Sequence, residues 1–406
     1  MTEQESDSAF ALVPYQGVPV KSSLTGPLSS LSFGVKDLFD VAGFPTSVGN
    51  PMMLTLLGVR DRHAQVVQQL LDAGARFAGK THTEEFAYSI IGSNPHFSTP
   101  INGAAPDRYT GGSSSGSAAA VSNGLVDFAL GTDTGGSVRA PASHCNLFGI
   151  RPTHGVISLS GCWDLAPAFD TCGFFARDLV TFSRVAQVLL PKSAQNGPPR
   201  VMVAEDAWGR LSPAVMASME PARDRVLRAL EAKTGQLADT IDLAQGSLDS
   251  LTHSFRSVQS TQAWETNGPL IEKHRIPLSE GVAGRLYSGR DLPEADRAAA
   301  QIFQQRYREN ICAQLGDDGL VILPTMHDVS PLRTETDESV LGEYRAKALE
   351  LTAAASLAGL PQITLPLASH QGAPIGLSLL GPAGSDRWLI ELAEHIELSG
   401  LLPENS

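Results

Sequence analysis

Cysteine is scarce in this 406-residue chain: Cys145, Cys162, Cys172 and Cys312 stand far apart and never form a C-x-x-C pair. That excludes a disulfide framework and a zinc ribbon, and leaves the four as small buried hydrophobes. Positive charge is also short. There are 30 Lys and Arg against 43 Asp and Glu, a net charge of −13, with no basic run or stripe. A field of that sign repels phosphate backbones, so nucleic acid is not an expected partner. No apolar run reaches the ~18 residues of a membrane span, so no membrane is expected either. Met1–Gln16 carries Glu3, Glu5 and Asp7 where a secretory leader would be basic, and no apolar h-region follows, which makes the cytoplasm the expected location. Neither H-E-x-x-H nor another ligand cluster occurs, so no metal and no cofactor are expected.

What the chain has in plenty is apolar surface. Hydrophobic residues make up 42% and charged residues only 18%, below the roughly 25% charged of ordinary soluble domains. Larger bodies expose less surface per residue, so this balance fits one large core. Asp61–Ala75 places Val66, Val67, Leu70 and Leu71 at helical spacing and closes at Gly74, and Arg76–Lys80 reads as a strand. Ser114–Gly124 is an alanine-rich helix, Val126–Gly131 a strand, and a further helix starts at Ser137. Leu320–Pro324, Gln362–Pro366 and Pro374–Leu380 read as strands, with helices Glu343–Ala358 and Asp386–Leu398. This alternation predicts an α/β body. Pro191–Arg200 is linker-like, and the stretch after it is the most helical and charged. We read residues 1–406 as a single domain with a helical segment, about 200–316, inserted in the α/β core.

Two glycine–serine loops carry the chemistry: Gly111–Ser117 (GGSSSGS) and Gly131–Ser137 (GTDTGGS). Each is framed by apolar elements and runs into a helical segment, so its free backbone N–H groups can hold an anion. A phosphate would need the Walker lysine, but Ser137 and Val138 follow Gly136. The oxyanion of an acyl-transfer intermediate needs a nucleophile beside those donors, and Ser137 supplies it. A serine needs a base. His82, His144 and His154 offer no triad spacing and read as structural. Only Lys21, Lys36 and Lys80 precede the loops, and Lys36 lies in the apolar run Phe33–Phe39 (FGVKDLF). Desolvation would lower its pKa toward a neutral, basic amine; pairing with Asp37 or Asp40 at the surface is the competing reading.

GGSSSGSAAAV at Gly111–Val121 and GTDTGGSVRAP at Gly131–Pro141, with GVKD at Gly34–Asp37 upstream, resemble the amidase signature family. The similarity extends from about Ser32 to Leu190 and resumes at Gly359–Pro361 through Leu380–Pro382. Ala87-Tyr88-Ser89-Ile90 and Asp127-Phe128 look closest to soluble amidases of the indole-3-acetamide hydrolase type. The resemblance implies the amidase signature fold, a mixed central β-sheet covered by helices on both faces. It also implies a Ser–cis-Ser–Lys triad: Ser137 as nucleophile, Ser113 as the bridging serine beside a cis peptide, Lys36 as base. Thr134, Gly135, Gly136 and Ser137 would offer N–H groups to the oxyanion, Asp133 and Arg139 would brace the loop, and Ala87 and Ser114 would adjoin the substrate. The activity implied is hydrolysis of a small, aromatic or apolar primary amide through an acyl-enzyme, with an indole-3-acetamide-like substrate favoured. A homodimer is an assembly the resemblance leaves open.

His82, Ser98 and Gly103 depart from residues frequent in the family, near the expected acyl pocket. Phe39, Tyr88, Ile91 and Trp163 are the apolar candidates for lining it. Three rival readings stand beside this one. Gly112–Gly116 matches G-x-S-x-G and would make Ser114 an esterase nucleophile, although loop residues rather than a strand precede it. The same signature serves the glutamine-hydrolysing subunit of a tRNA-dependent amidotransferase. An inactive, ligand-binding relative is the third.

Overall fold

The computed structural model describes residues 7–16, 18–194 and 197–399; the acidic start Met1–Ser6, and Gln195 and Asn196 of the linker-like stretch, lie outside the described residues. Ten strands are present among them: β1 (Ser32–Lys36), β2 (Arg76–Thr81), β3 (Phe128–Asp133), β4 (Phe148–Arg151), β5 (Thr171–Ala176), β6 (Arg200–Ala204), β7 (Asp239–Ile241), β8 (Gly319–Pro324), β9 (Gln362–His370) and β10 (Ala373–Leu380). They form one sheet in the order β2-β1-β3-β5-β4-β9-β10-β8-β6-β7. β1 runs parallel to both β2 and β3, the central strands β5, β4, β9 and β10 pair antiparallel, and β6 runs parallel to β8 and β7. The sheet is therefore mixed.

Helices cover both faces, and the strands show why. Successive side chains of a strand point to opposite faces, yet every residue of β1, β3, β5, β8 and β10 is buried. Phe128 and Leu130 pack in one apolar cluster with Phe33, Val35 and Ile322, while Ala129 packs in another with Val121, Val138 and Phe175. Val321 and Leu323 join a third, with Phe255, Leu286 and Leu351 from the helices Leu248–His274, Glu280–Arg290 and Glu338–Ala358. Such continuous apolar strands carry no period-2 signal.

Within residues 200–316 the expected helices are there, but the segment also gives β6 and β7 to the sheet, so it is not wholly helical. Those strands, with β4 and β5, are short, and none alternates apolar with polar residues.

Because β1 and β3 are parallel neighbours, their carboxyl ends lie side by side, with Val35 opposite Leu130. Lys36 closes β1 and Asp133 closes β3. β5 enters the same edge antiparallel, placing Thr171 opposite Asp133. The loop Gly131–Ser137 leaves β3 here, and Ser113 of the other loop reaches Lys36, at the strand ends where α/β sheets open their crevices.

Candidate active site

Lys36 is fully buried, and its Nζ lies 2.7 Å from Ser113 Oγ and 2.7 Å from Thr132 Oγ1. It does not pair with Asp37 or Asp40. Asp37 is taken by Lys80, whose Nζ is 2.7 Å from Asp37 Oδ1 and which also donates to Pro45 O and Thr46 Oγ1. Asp40 pairs with Arg60. Left among hydroxyls without a contacting carboxylate, Lys36 is pushed down to about 7 by burial, against the weaker pull of Glu84, Asp133 and Asp170. Its surroundings favour the neutral amine.

Ser113 is held by its backbone. Its carbonyl accepts from Glu84 N at 3.2 Å and Thr83 Oγ1 at 3.1 Å, and the Gly112–Ser113 peptide is cis. Glu84 lies so close that a Cβ on Gly112 would meet its Oε2 at 2.1 Å, which only glycine avoids. The Glu84 carboxyl accepts from the N–H groups of Gly92 and Ser93, and burial raises its pKa. Ser114 turns the other way: its hydroxyl donates to Thr132 O at 3.2 Å and accepts from Thr132 N at 3.3 Å. It ties one loop to β3 instead of facing the cavity described below. No strand precedes it either, as an esterase elbow requires.

The second loop is fixed by Asp133. Its carboxylate accepts from the N–H groups of Gly136 (2.9 Å), Val138 and Arg139, and from the guanidinium groups of Arg139 (2.8 Å) and Arg151 (3.2 Å). Although burial alone would raise its pKa, these positive partners hold its carboxyl well below the usual carboxylate range. Gly136 therefore leaves the expected donor set, because its N–H is already engaged by Asp133. Among the described residues, the N–H groups of Thr134, Gly135 and Ser137 donate to no protein acceptor. The Gly135 carbonyl accepts from Thr352 Oγ1 at 2.7 Å, and the Ser137 carbonyl accepts from Ser114 N at 3.4 Å. Thr134 sends its hydroxyl to Asp170.

Ser137 and Gly135 open onto a cavity of about 470 Å³, together with Ala87, Tyr88, Ile90 and Leu349. Of the four apolar candidates from the sequence, Tyr88 alone lines it. Phe39 and Ile91 are core, and Trp163 donates to Asn267 Oδ1 beside a separate recess of about 10 Å³ that Thr132, Thr134 and Ala87 share. Most of the remaining lining comes from three distant helices, at His253, Arg256, Arg285 and Arg345 among others. Sequence reading missed these because no motif carries them.

The three histidines nearest in sequence are occupied elsewhere. His144 Nε2 pairs with Tyr344 OH at 2.8 Å and His154 Nε2 lies 2.9 Å from Pro167 O. Burial pushes His144 down to about 3 and lowers His82, whose ring lies tilted against Phe97.

A buried lysine beside one serine, a second serine on a cavity, and unpaired N–H groups next to it are the parts of a hydrolytic site. Residues 15–239 match the family model described as "Amidase". The chain belongs to the amidase family. It is 34% identical to "Amidase 1" of Oryza sativa subsp. japonica, over 93% of this chain and 92% of that one. It is 32% identical to the chloroplastic "Outer envelope protein 64" of Arabidopsis thaliana, covering 96% of this chain and 69% of that protein. A solved structure described as "Crystal structure of amidase" superposes with a TM-score of 0.80 at 29% identity, over 92% of this chain and 85% of that one. As an amidase, the chain acts on amide C–N bonds. Among the described residues, no helix is long and apolar enough to cross a membrane.

Proposed function

We propose that this amidase hydrolyses a small primary amide with an apolar acyl group, using Ser137 as nucleophile, Ser113 as proton relay and Lys36 as base. The observation that carries the reading is the buried Lys36 Nζ, 2.7 Å from Ser113 Oγ and free of any paired carboxylate. Ser137 Oγ attacks the amide carbon while its proton passes to Ser113, whose own proton passes to neutral Lys36. The carbonyl oxygen becomes an oxyanion, for which the N–H groups of Thr134, Gly135 and Ser137 are the available donors. One such donor is typically worth about 3–4 kcal/mol in the transition state. The relay then runs in reverse, protonating the leaving nitrogen so that ammonia departs and an acyl-Ser137 ester remains. Water attacks that ester, gives a proton to the relay and frees the carboxylic acid.

Ala87, Tyr88, Ile90 and Leu349 form an apolar wall beside Ser137, and this favours an acyl group of the arylacetyl or aliphatic kind, indole-3-acetamide among them. The test is ammonia release from indole-3-acetamide, phenylacetamide, hexanamide and glutamine by wild type and Ser137→Ala. The expected result is turnover of the apolar amides over glutamine, with a loss of about 10³-fold or more in the variant. An organophosphorus reagent should label Ser137. Labelling of Ser114, or activity kept by Ser137→Ala, would overturn the nucleophile assignment.

A further inference from the structure

The lining of the large cavity is opposite in sign to the protein. The chain carries a net charge of −13, yet Arg256, Arg285 and Arg345 all border the cavity, and among the described residues no Asp or Glu does. The three arginines come from three helices, Leu248–His274, Glu280–Arg290 and Glu338–Ala358. No local sequence pattern brings them together; the packing of the helices does.

Their pairing is incomplete. Arg345 meets Glu338 at 2.8 Å, a carboxylate 72% exposed. Arg256 and Arg285 form no ion pair among the described residues, and Arg285 Nε is buried without a hydrogen-bond partner. The Arg285 guanidinium lies over the Tyr88 ring, 5.5 Å from its centroid, and Tyr88 is also part of the wall that reaches Ser137. Burial and the neighbouring charge of Arg345 work against its proton, and the more distant carboxylates of Glu84 and Glu338 offset them only in part. A guanidinium presents planar, paired donors that match a carboxylate, and a buried donor left unmade disfavours the empty site.

Building on the amide-hydrolysis reading, we infer that the substrate's acyl group, apolar next to the amide, ends in a carboxylate, which Arg285 and Arg256, both close to Tyr88, receive where they border the cavity. The substrate is then a monoamide of a dicarboxylic acid: apolar along its length, an amide at one end and an anion at the other. Ala87, Tyr88, Ile90 and Leu349 flank the apolar middle, and the arginines select the charge.

The experiment compares adipic acid monoamide with hexanamide, which share chain length and amide and differ in the distal carboxylate. Binding is measured by calorimetry on Ser137→Ala, where no turnover intervenes, and kcat/KM is measured on the wild type. The expected result is a preference of about tenfold or more for the monoamide in both, the size of one charge-assisted hydrogen bond. Adding Arg285→Gln should erase that preference, Arg285→Lys should restore part of it, and Arg256→Gln, at an exposed position, should reduce it in a protein whose fold is undisturbed. Raising the ionic strength should weaken it. Equal binding of the two amides, or a preference untouched by Arg285→Gln, overturns the inference. The hydrolytic reading fails separately: it falls if the wild type turns over neither amide, whatever the calorimetry shows, and it stands if hexanamide is hydrolysed without any preference for charge.

Discussion

A lysine ordinarily keeps its proton well above neutral pH, and Lys36 differs because the carboxylates nearest to it in sequence are engaged by other cations. Lys80 holds Asp37 and Arg60 holds Asp40. With its pKa pushed down to about 7 by burial, the neutral amine forms as pH rises through that value. For a neutral amide, kcat/KM should climb about tenfold per pH unit below pH 7 and level off above it; a pH–rate profile checks this, and Lys36→Met should abolish both the rise and most of the rate. Stability follows with a definite sign. The unfolded chain returns Lys36 to the ordinary lysine range, so above about pH 7 the unfolded state holds more protons and folding gains as pH increases. Relative to Lys36→Met, the wild type should therefore be more stable at pH 9 than at pH 6, measured by denaturant unfolding. Asp133 gives a second residue-level expectation. Asp133→Ala would leave Arg139 and Arg151 buried without their anion, a loss of about 3–5 kcal/mol, visible as a fall in the denaturation midpoint.

At the scale of elements, the helix Ser115–Ser122 shows why small residues were used. A Cβ on Gly116 would lie 2.3 Å from His82 N and 2.5 Å from Ala11 O, so the helix touches neighbouring backbone directly. Gly116→Ala should destabilise the fold by about 1–3 kcal/mol through overpacking, read by thermal or chemical denaturation. This helix was legible in the sequence, as were β2, β3 and the three strands of the carboxyl-terminal half, because each follows a turn signal or a long apolar run, whereas β1 showed only as an apolar run around Lys36. β4, β5, β6 and β7 were not, since FGIR, TCGFFA, RVMVA and DTI are too short or too evenly apolar to show a period. The same division runs through the site. Lys36, Ser113 and Ser137 stand in motifs. The engaged N–H of Gly136 and the turned-away hydroxyl of Ser114 depend on hydrogen bonds to Asp133 and Thr132, which only the folded loops create. Arg256, Arg285 and Arg345 meet through helix packing alone.

Over the whole molecule, one sheet joins strands from both sides of residues 191–200, with β4 lying against β9. Cutting the chain into two folding units there would unpair β4 from β9 and expose Ile150 and Ile363, both now buried. We therefore expect one cooperative transition in scanning calorimetry; two resolved transitions would show two domains. The placement of the helical arginines has a consequence for how such a protein changes over time. Lys36, Ser113 and Ser137 fall inside residues 15–239, the stretch that matches the family model, whereas Arg256, Arg285 and Arg345 all fall beyond it. The proposed catalytic residues and the arginines of the cavity are thus written in separate stretches of the gene. Mutation or recombination after residue 239 can retune which amide is accepted while the reaction itself is inherited intact, and a laboratory seeking a new amidase could randomise the helices without touching the serines.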